Sequence, residues 1–204
     1  MREADRPCPG RRGGPPRGAR YAVDDGASLA TVATGSVEWV TAGLSLNNVP
    51  DLAAAIRAVR RVLVSGGHLV FTVPHPCFEA PQARWSGGAD EPPGRVVGNY
   101  LVEGFWRSAN PDGARRAGNQ HRMLSTYVTS LVEHGLVIGR LAEPAPDARV
   151  IAEQPQRAGL PPFLLISGLR SPTTGASTSR GRAQHLRRRR HPSRTGLRSH
   201  PADP

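Results

Sequence analysis

Residues 37–73 constrain the fold more tightly than any other part of the chain. "VEWVTAGLSL", residues 37–46, is a mostly apolar run of strand formers with few charges, as expected of a strand buried on both faces of a parallel sheet. Asn47, Asn48 and Pro50 break it. "DLAAAIRAVRRVL" then sets Leu52, Ala55, Ile56, Val59, Val62 and Leu63 on one helical stripe, with Arg57, Arg60 and Arg61 elsewhere. Asp51 is the expected N-cap and Gly66 or Gly67 the expected stop. "HLVFTV", residues 68–73, reads as the next strand. Strand, helix, strand at this spacing predicts two parallel strands joined by a right-handed crossover, and so an α/β fold.

Downstream, "LSTYVTSLVEHG" places Leu124, Tyr127, Val128 and Leu131 on a second stripe ended by Gly135, and residues 136–141 and 163–169 read as two further strands. Between the halves, residues 79–120 are polar and rich in Gly, Pro and Arg, yet carry Trp85, Tyr100, Phe105 and Trp106. A connection of that length with aromatics predicts a lid or binding segment.

The 204 residues suit one ordinary domain, expected over residues 21–170. Residues 1–20 and 171–204 hold Arg, Gly and Pro with almost nothing to bury, and are expected to be disordered. Those ends also account for the charge. Six Arg against Glu3 and Asp5 leave +4 in the first 20 residues, and eight Arg against Asp203 leave +7 after residue 170, which together make the whole net +11. The middle is neutral, so a nucleic-acid footprint would have to be a property of the tails. The run Arg187, Arg188, Arg189, Arg190 reads as a solvated tail. No stretch approaches the ~20 apolar residues of a spanning helix. Cys8 and Cys77 make no disulfide framework, and "HPC" at residues 75–77 lacks metal-ligand spacing, so no metal site is expected. A cytoplasmic protein is the expectation.

Residues 25–78 resemble the second half of a class I S-adenosylmethionine-dependent methyltransferase of the small-molecule type. The family's Asp-Ala-x-x-Leu element stands here as Asp25, Gly26, Ala27, Ser28 and Leu29, and its Asp-Val-Pro-Asp-like turn as Asn48, Val49, Pro50 and Asp51. Its Arg-Val-Leu-x-x-Gly-Gly signature occupies residues 61–67, and "HRMLSTYVTSLVEHGLVIGRLAEP" and "PPFLLISGLR" resemble its later helix and last two strands. The resemblance implies a partial Rossmann-like sheet that keeps strands four to seven of the family, S-adenosylmethionine as cofactor and a small-molecule methyl acceptor as partner. It further implies that Asp25 accepts from the adenine amino group, that the backbone of Gly26 meets the ring edge, and that Ala42 and Gly43 pass beside the sulfonium.

Methyl transfer from a sulfonium asks for alignment, with a base only where the acceptor must lose a proton. His75 and His121 are the candidates, since imidazole titrates near neutrality. The plain readings compete with these: His75 as a turn residue between two prolines, His121 and Arg122 as a solvated helix entrance, Tyr127 as core and Cys77 as a small buried hydrophobe. Upstream of Tyr21 the family's first strand, Gly-rich turn and second strand are not recognisable. "GRRGGPPRG" follows no strand, and its prolines would break the helix that must come next. The expected consequence is an unpaired edge on the strand at residues 37–46 and weak or no cofactor binding. The competing readings are a non-catalytic truncated or misjoined fragment, and a nucleic-acid binder working through its tails.

Overall fold

A computed structural model of the chain describes residues 18–87, 93–107 and 118–172. Most of the Arg-rich ends, including the run Arg187 to Arg190, lies outside the described residues, so the disorder expected there is not addressed by them.

Asp51 starts the first helix by accepting the Ala54 amide on its carboxylate at 2.8 Å, and α1 runs Leu52–Val62. Its stripe Leu52, Ala55, Ile56, Val59 and Val62 is buried as expected, while Arg60 and Arg61 fall in the last turn, where the helix dipole favours cations. The strands around it are β1, Val37–Gly43, and β2, Leu63–Pro74, and they are parallel. The helix stops at Val62, earlier than the glycines implied, because Leu63 already takes extended geometry. Gly66 and Gly67 serve the strand instead. The register slips between Val37 and Trp39, Gly66 sits at φ +77°, and a Cβ on Gly67 would lie 2.9 Å from the Val64 carbonyl and 3.1 Å from that of Glu38. The glycine pair is therefore a bulge that lets β2 cross close to β1.

The second helix, α2, is Leu124–Glu133, followed through Gly135 (φ +72°) by strand β7, Leu136–Ala142. Strand β8, Phe163–Arg170, runs antiparallel between β2 and β7, giving the order β1, β2, β8, β7. Inward positions Leu69, Phe71 and Val73 of β2 and Leu164 and Ile166 of β8 meet both helices in one core with Tyr127 and Leu131. Opposite positions on β2 and β8 are only partly covered.

One strand departs from its expectation. No residue of β1 is buried, and Trp39 is 58% exposed, stacked on His68 with ring centroids 4.3 Å apart. The apolar run of residues 37–46 was read as a strand covered on both faces. Among the described residues β1 is the sheet edge with one neighbour, which is the unpaired edge expected for it, and Val37, Val40 and Ala42 pack against the core only partly buried.

The long connection folds in small pieces. Strand β3, Arg84–Ser86, pairs with β4, Gly94–Val96, and β5, Gly104–Trp106, pairs with β6, Asn119–His121. Arg95 and Arg157 both face the Trp85 ring, and Arg157 also pairs with the buried Glu79 at 2.7 Å. A short helix, α3 (Ala148–Glu153), lies in the Pro-rich connection before β8. No helix among the described residues is long and apolar enough to cross a membrane.

Candidate active site

The carboxyl ends of the parallel strands β1 and β2 are where an open α/β sheet takes its ligands. At that end Pro74, His75 and Pro76 from the end of β2, Asn47 from the turn after β1, and residues 119–122 line a cavity of about 20 Å3, together with Glu79 and Tyr127. That volume holds about one water molecule. Both candidate histidines line it.

Their environments differ. His75 is 2% exposed and uses both ring nitrogens: Nδ1 accepts the Cys77 amide at 3.2 Å, which leaves Nε2 to donate to the Glu143 carboxylate at 2.7 Å. Its own amide donates to the Pro162 carbonyl and its carbonyl accepts from Glu79, so the Pro-His-Pro turn is pinned on every side. With its lone pair committed to a backbone amide, His75 acts as a turn residue. Glu143, its partner, was not singled out in the sequence, because it lies 68 residues away.

His121 is 5% exposed, and its Nε2 lies 2.8 Å from the Tyr100 carbonyl. A carbonyl only accepts, so Nε2 carries the proton and Nδ1 of the neutral ring keeps its lone pair. No donor to Nδ1 is present among the described residues. This is the oriented imidazole that proton abstraction requires.

Arg122 is not solvated at a helix entrance. It is buried, and its guanidinium donates to the carbonyls of Leu46 (3.0 Å), Val49 and Pro50 (2.9 Å), tying the start of α2 to the turn after β1. Burial pushes the Tyr127 phenol upward, opposed by this same guanidinium, so Tyr127 stays neutral within the core. Cys77 is half-buried. Asn47, 6% exposed, lines the cavity, and its buried Oδ1 has no donor among the described residues. A bound N–H or O–H group would satisfy it.

The residues expected to hold the cofactor lie outside this cavity. Asp25 is exposed, with Oδ1 accepting the Ala27 amide at 3.0 Å. Gly26 packs on the neighbouring turn so closely that a Cβ would sit 3.1 Å from Val49 Cγ2. Ala42 is half-buried and Gly43 open, with nothing within 4 Å of where a Cβ would stand. The set thus comprises an exposed acceptor, a close-packed glycine and an open strand end.

Two polar anchors hold that loop, and neither function was legible beforehand. Arg61 donates to the carbonyls of Val32 (2.9 Å), Ser28 (3.2 Å) and Leu29 (2.8 Å) and to the Thr34 hydroxyl (3.2 Å). Asp24 accepts the amides of Asp25, Ala30 and Thr31 and the Thr31 hydroxyl. The Thr31 hydroxyl bond, with the amide bonds behind it, lowers the Asp24 carboxyl to about 2. No cluster of His, Cys, Asp and Glu among the described residues could hold a metal.

Comparison with known proteins agrees with this geometry. A family described as a methyltransferase domain matches residues 8–71. A crystal structure of an S-adenosylmethionine-dependent methyltransferase from Mesorhizobium loti is 30% identical, with a TM-score of 0.65, over 77% of this chain and 72% of that one. A Listeria monocytogenes structure classed with the same enzymes is 25% identical, with a TM-score of 0.56, over 69% of this chain and 64% of the other. A Methanosarcina mazei methyltransferase shares the fold at 15% identity and a TM-score of 0.51. No curated protein matches the sequence. Sheet order, the site at the strand ends and the Mesorhizobium relative together define a class I methyltransferase fold. The chain belongs to the S-adenosylmethionine-dependent methyltransferases.

Proposed function

We propose that the chain transfers a methyl group from S-adenosylmethionine to a small-molecule acceptor, with His121 as the base and Asp25, Gly26, Ala42 and Gly43 along the cofactor. The cofactor, when bound, supplies an electrophilic methyl carbon on a sulfonium. With the cofactor bound, the methyl–sulfur bond would break as the acceptor's nucleophilic atom bonded to carbon, the neutral thioether leaving, while His121 Nδ1 would take the acceptor's proton and Asn47 would orient the acceptor. The observation that carries this reading is the 2.8 Å contact of His121 Nε2 with the Tyr100 carbonyl, which fixes the tautomer. His75 has the turn role instead.

Cofactor affinity is weak in this reading. Among the described residues the loop before β1 meets the adenosine and the open end of β1 the sulfonium, and two polar anchors hold that loop. His121→Gln should lower kcat by about 100-fold or more where a competent acceptor is supplied, as loss of a general base does. An unchanged rate would contradict the assignment. The second reading, a member without catalysis, is favoured by a cavity of about 20 Å3, since acceptor sites are usually at least about 300 Å3. Methylation of any acceptor by the purified chain would exclude it.

A further inference from the structure

Helix α2 begins without a cap of its own. Its N-cap residue is Met123, which has no side-chain oxygen, so the first amides of the helix need acceptors from elsewhere. They come from residues 99–103, some 20 positions upstream. Glu103 Oε1 accepts the Met123 amide at 2.6 Å and the Thr126 hydroxyl at 2.5 Å, and the Tyr100 hydroxyl accepts the Leu124 amide at 2.8 Å. Burial raises the Tyr100 phenol, which keeps it neutral.

The same five residues hold the imidazole. The Tyr100 carbonyl accepts from His121 Nε2 at 2.8 Å, and the Tyr100 ring meets the His121 ring edge-on at 5.9 Å. Apart from the β5–β6 pairing that starts next to it at Gly104, little else secures this stretch. It turns on Asn99 at φ +49°, the Val102 amide closes the turn on the Asn99 carbonyl, and Leu101 and Val102 face solvent at 75% and 65% exposure. Apolar burial contributes almost nothing here beyond the Tyr100 ring, so the polar contacts to residues 121–126 fix where the Tyr100 carbonyl stands.

We propose that Tyr100 and Glu103 are positioning residues for His121: by capping α2 from outside the helix they hold the Tyr100 carbonyl against Nε2, and so select the tautomer whose Nδ1 can take a proton. This rests on the assignment of His121 as base. Neither residue touches the acceptor. Losing either cap leaves an orphan helix amide and lets the carbonyl drift, after which the ring can carry its proton on either nitrogen.

The test uses the full chain labelled with 15N histidine, reading the His121 tautomer by long-range 1H–15N correlation, amide exchange across the chain, and kcat apart from KM. The wild type should show a single Nε2–H form. Glu103→Ala and Tyr100→Phe should each give mixed tautomers, faster exchange at Met123 and Leu124 with β2 and β8 amides unchanged, and a kcat about tenfold lower with KM little altered, the scale of a small misplacement. Glu103→Gln keeps an accepting oxygen and should restore most of both. A wild type already mixed, or either loss variant still purely Nε2–H, overturns the proposal. If tautomers scramble as expected while His121→Gln leaves the rate untouched, the positioning stands and the base assignment fails.

Discussion

Strands β1 and β2 are parallel neighbours of similar composition, yet they are held in place by different physics. On β2, Leu69, Phe71 and Val73 alternate into the core and are almost wholly removed from water. On β1 no residue is fully buried, Val37, Val40 and Ala42 packing only partly against the core with Leu29 of the loop before it, and that loop also takes four hydrogen bonds from Arg61 and four accepted by Asp24. Apolar burial is non-directional and cooperative, whereas a polar clamp works only at one geometry and opens locally. The loop before β1 is thus expected to open more readily than the core.

The largest effect should come from the buried strand. Phe71→Ala removes a ring at the centre of the core and should cost about 3–5 kcal/mol, read as a fall in the denaturation midpoint. A loss below about 1 kcal/mol would mean the two regions are not so different. Next, Arg61→Ala should speed amide exchange and proteolysis around residues 28–34 with little change in the global midpoint, since each charge-assisted bond is worth about 1.5–3 kcal/mol but serves only this loop. Global unfolding at the same rate would show that the clamp and the core are one unit.

The edge makes a third contrast. An unpaired, exposed strand invites pairing with another chain. Thr41→Pro removes an amide on the side of β1 away from β2 and should reduce concentration-dependent association in sedimentation, and equal association in both proteins would argue against the edge. The smallest effect is acid loss of the loop. Asp24 has a folded pKa of about 2, below its unfolded value near ~3.9, so its contribution is complete above about pH 4 and disappears as pH falls through about 2. The Ala30 and Thr31 amide resonances should follow that window. Asp24→Asn should abolish the dependence.

The parts legible in the sequence were those with local causes. The Asp51 cap and the α1 stripe follow from a period of 3.6, and the Gly135 stop from a left-handed turn. That the sheet keeps strands four to seven of the family followed from resemblance rather than from pattern. What escaped was non-local. Glu143 on His75, Glu103 capping α2, and Arg122 reaching the turn after β1 each join residues from 20 to 76 positions apart, and no spacing rule couples them. The unpaired edge of β1 was expected, whereas its cover on both faces was not found, for a related reason: an apolar run records what a strand can bury, not whether a neighbour is there to bury it. The two histidines looked equivalent because only the acceptor facing Nε2 and the donor facing Nδ1 tell them apart.

The most direct test is a titration of the full 15N-labelled chain with S-adenosylmethionine, following amide shifts and, in parallel, heat. Weak binding is expected, with a dissociation constant above the micromolar range and shifts confined to Asp25, Gly26, Ala42, Gly43 and the residues around them. Micromolar affinity, or perturbations that bypass the end of β1, would contradict the placement of the cofactor on this polar, exposed edge.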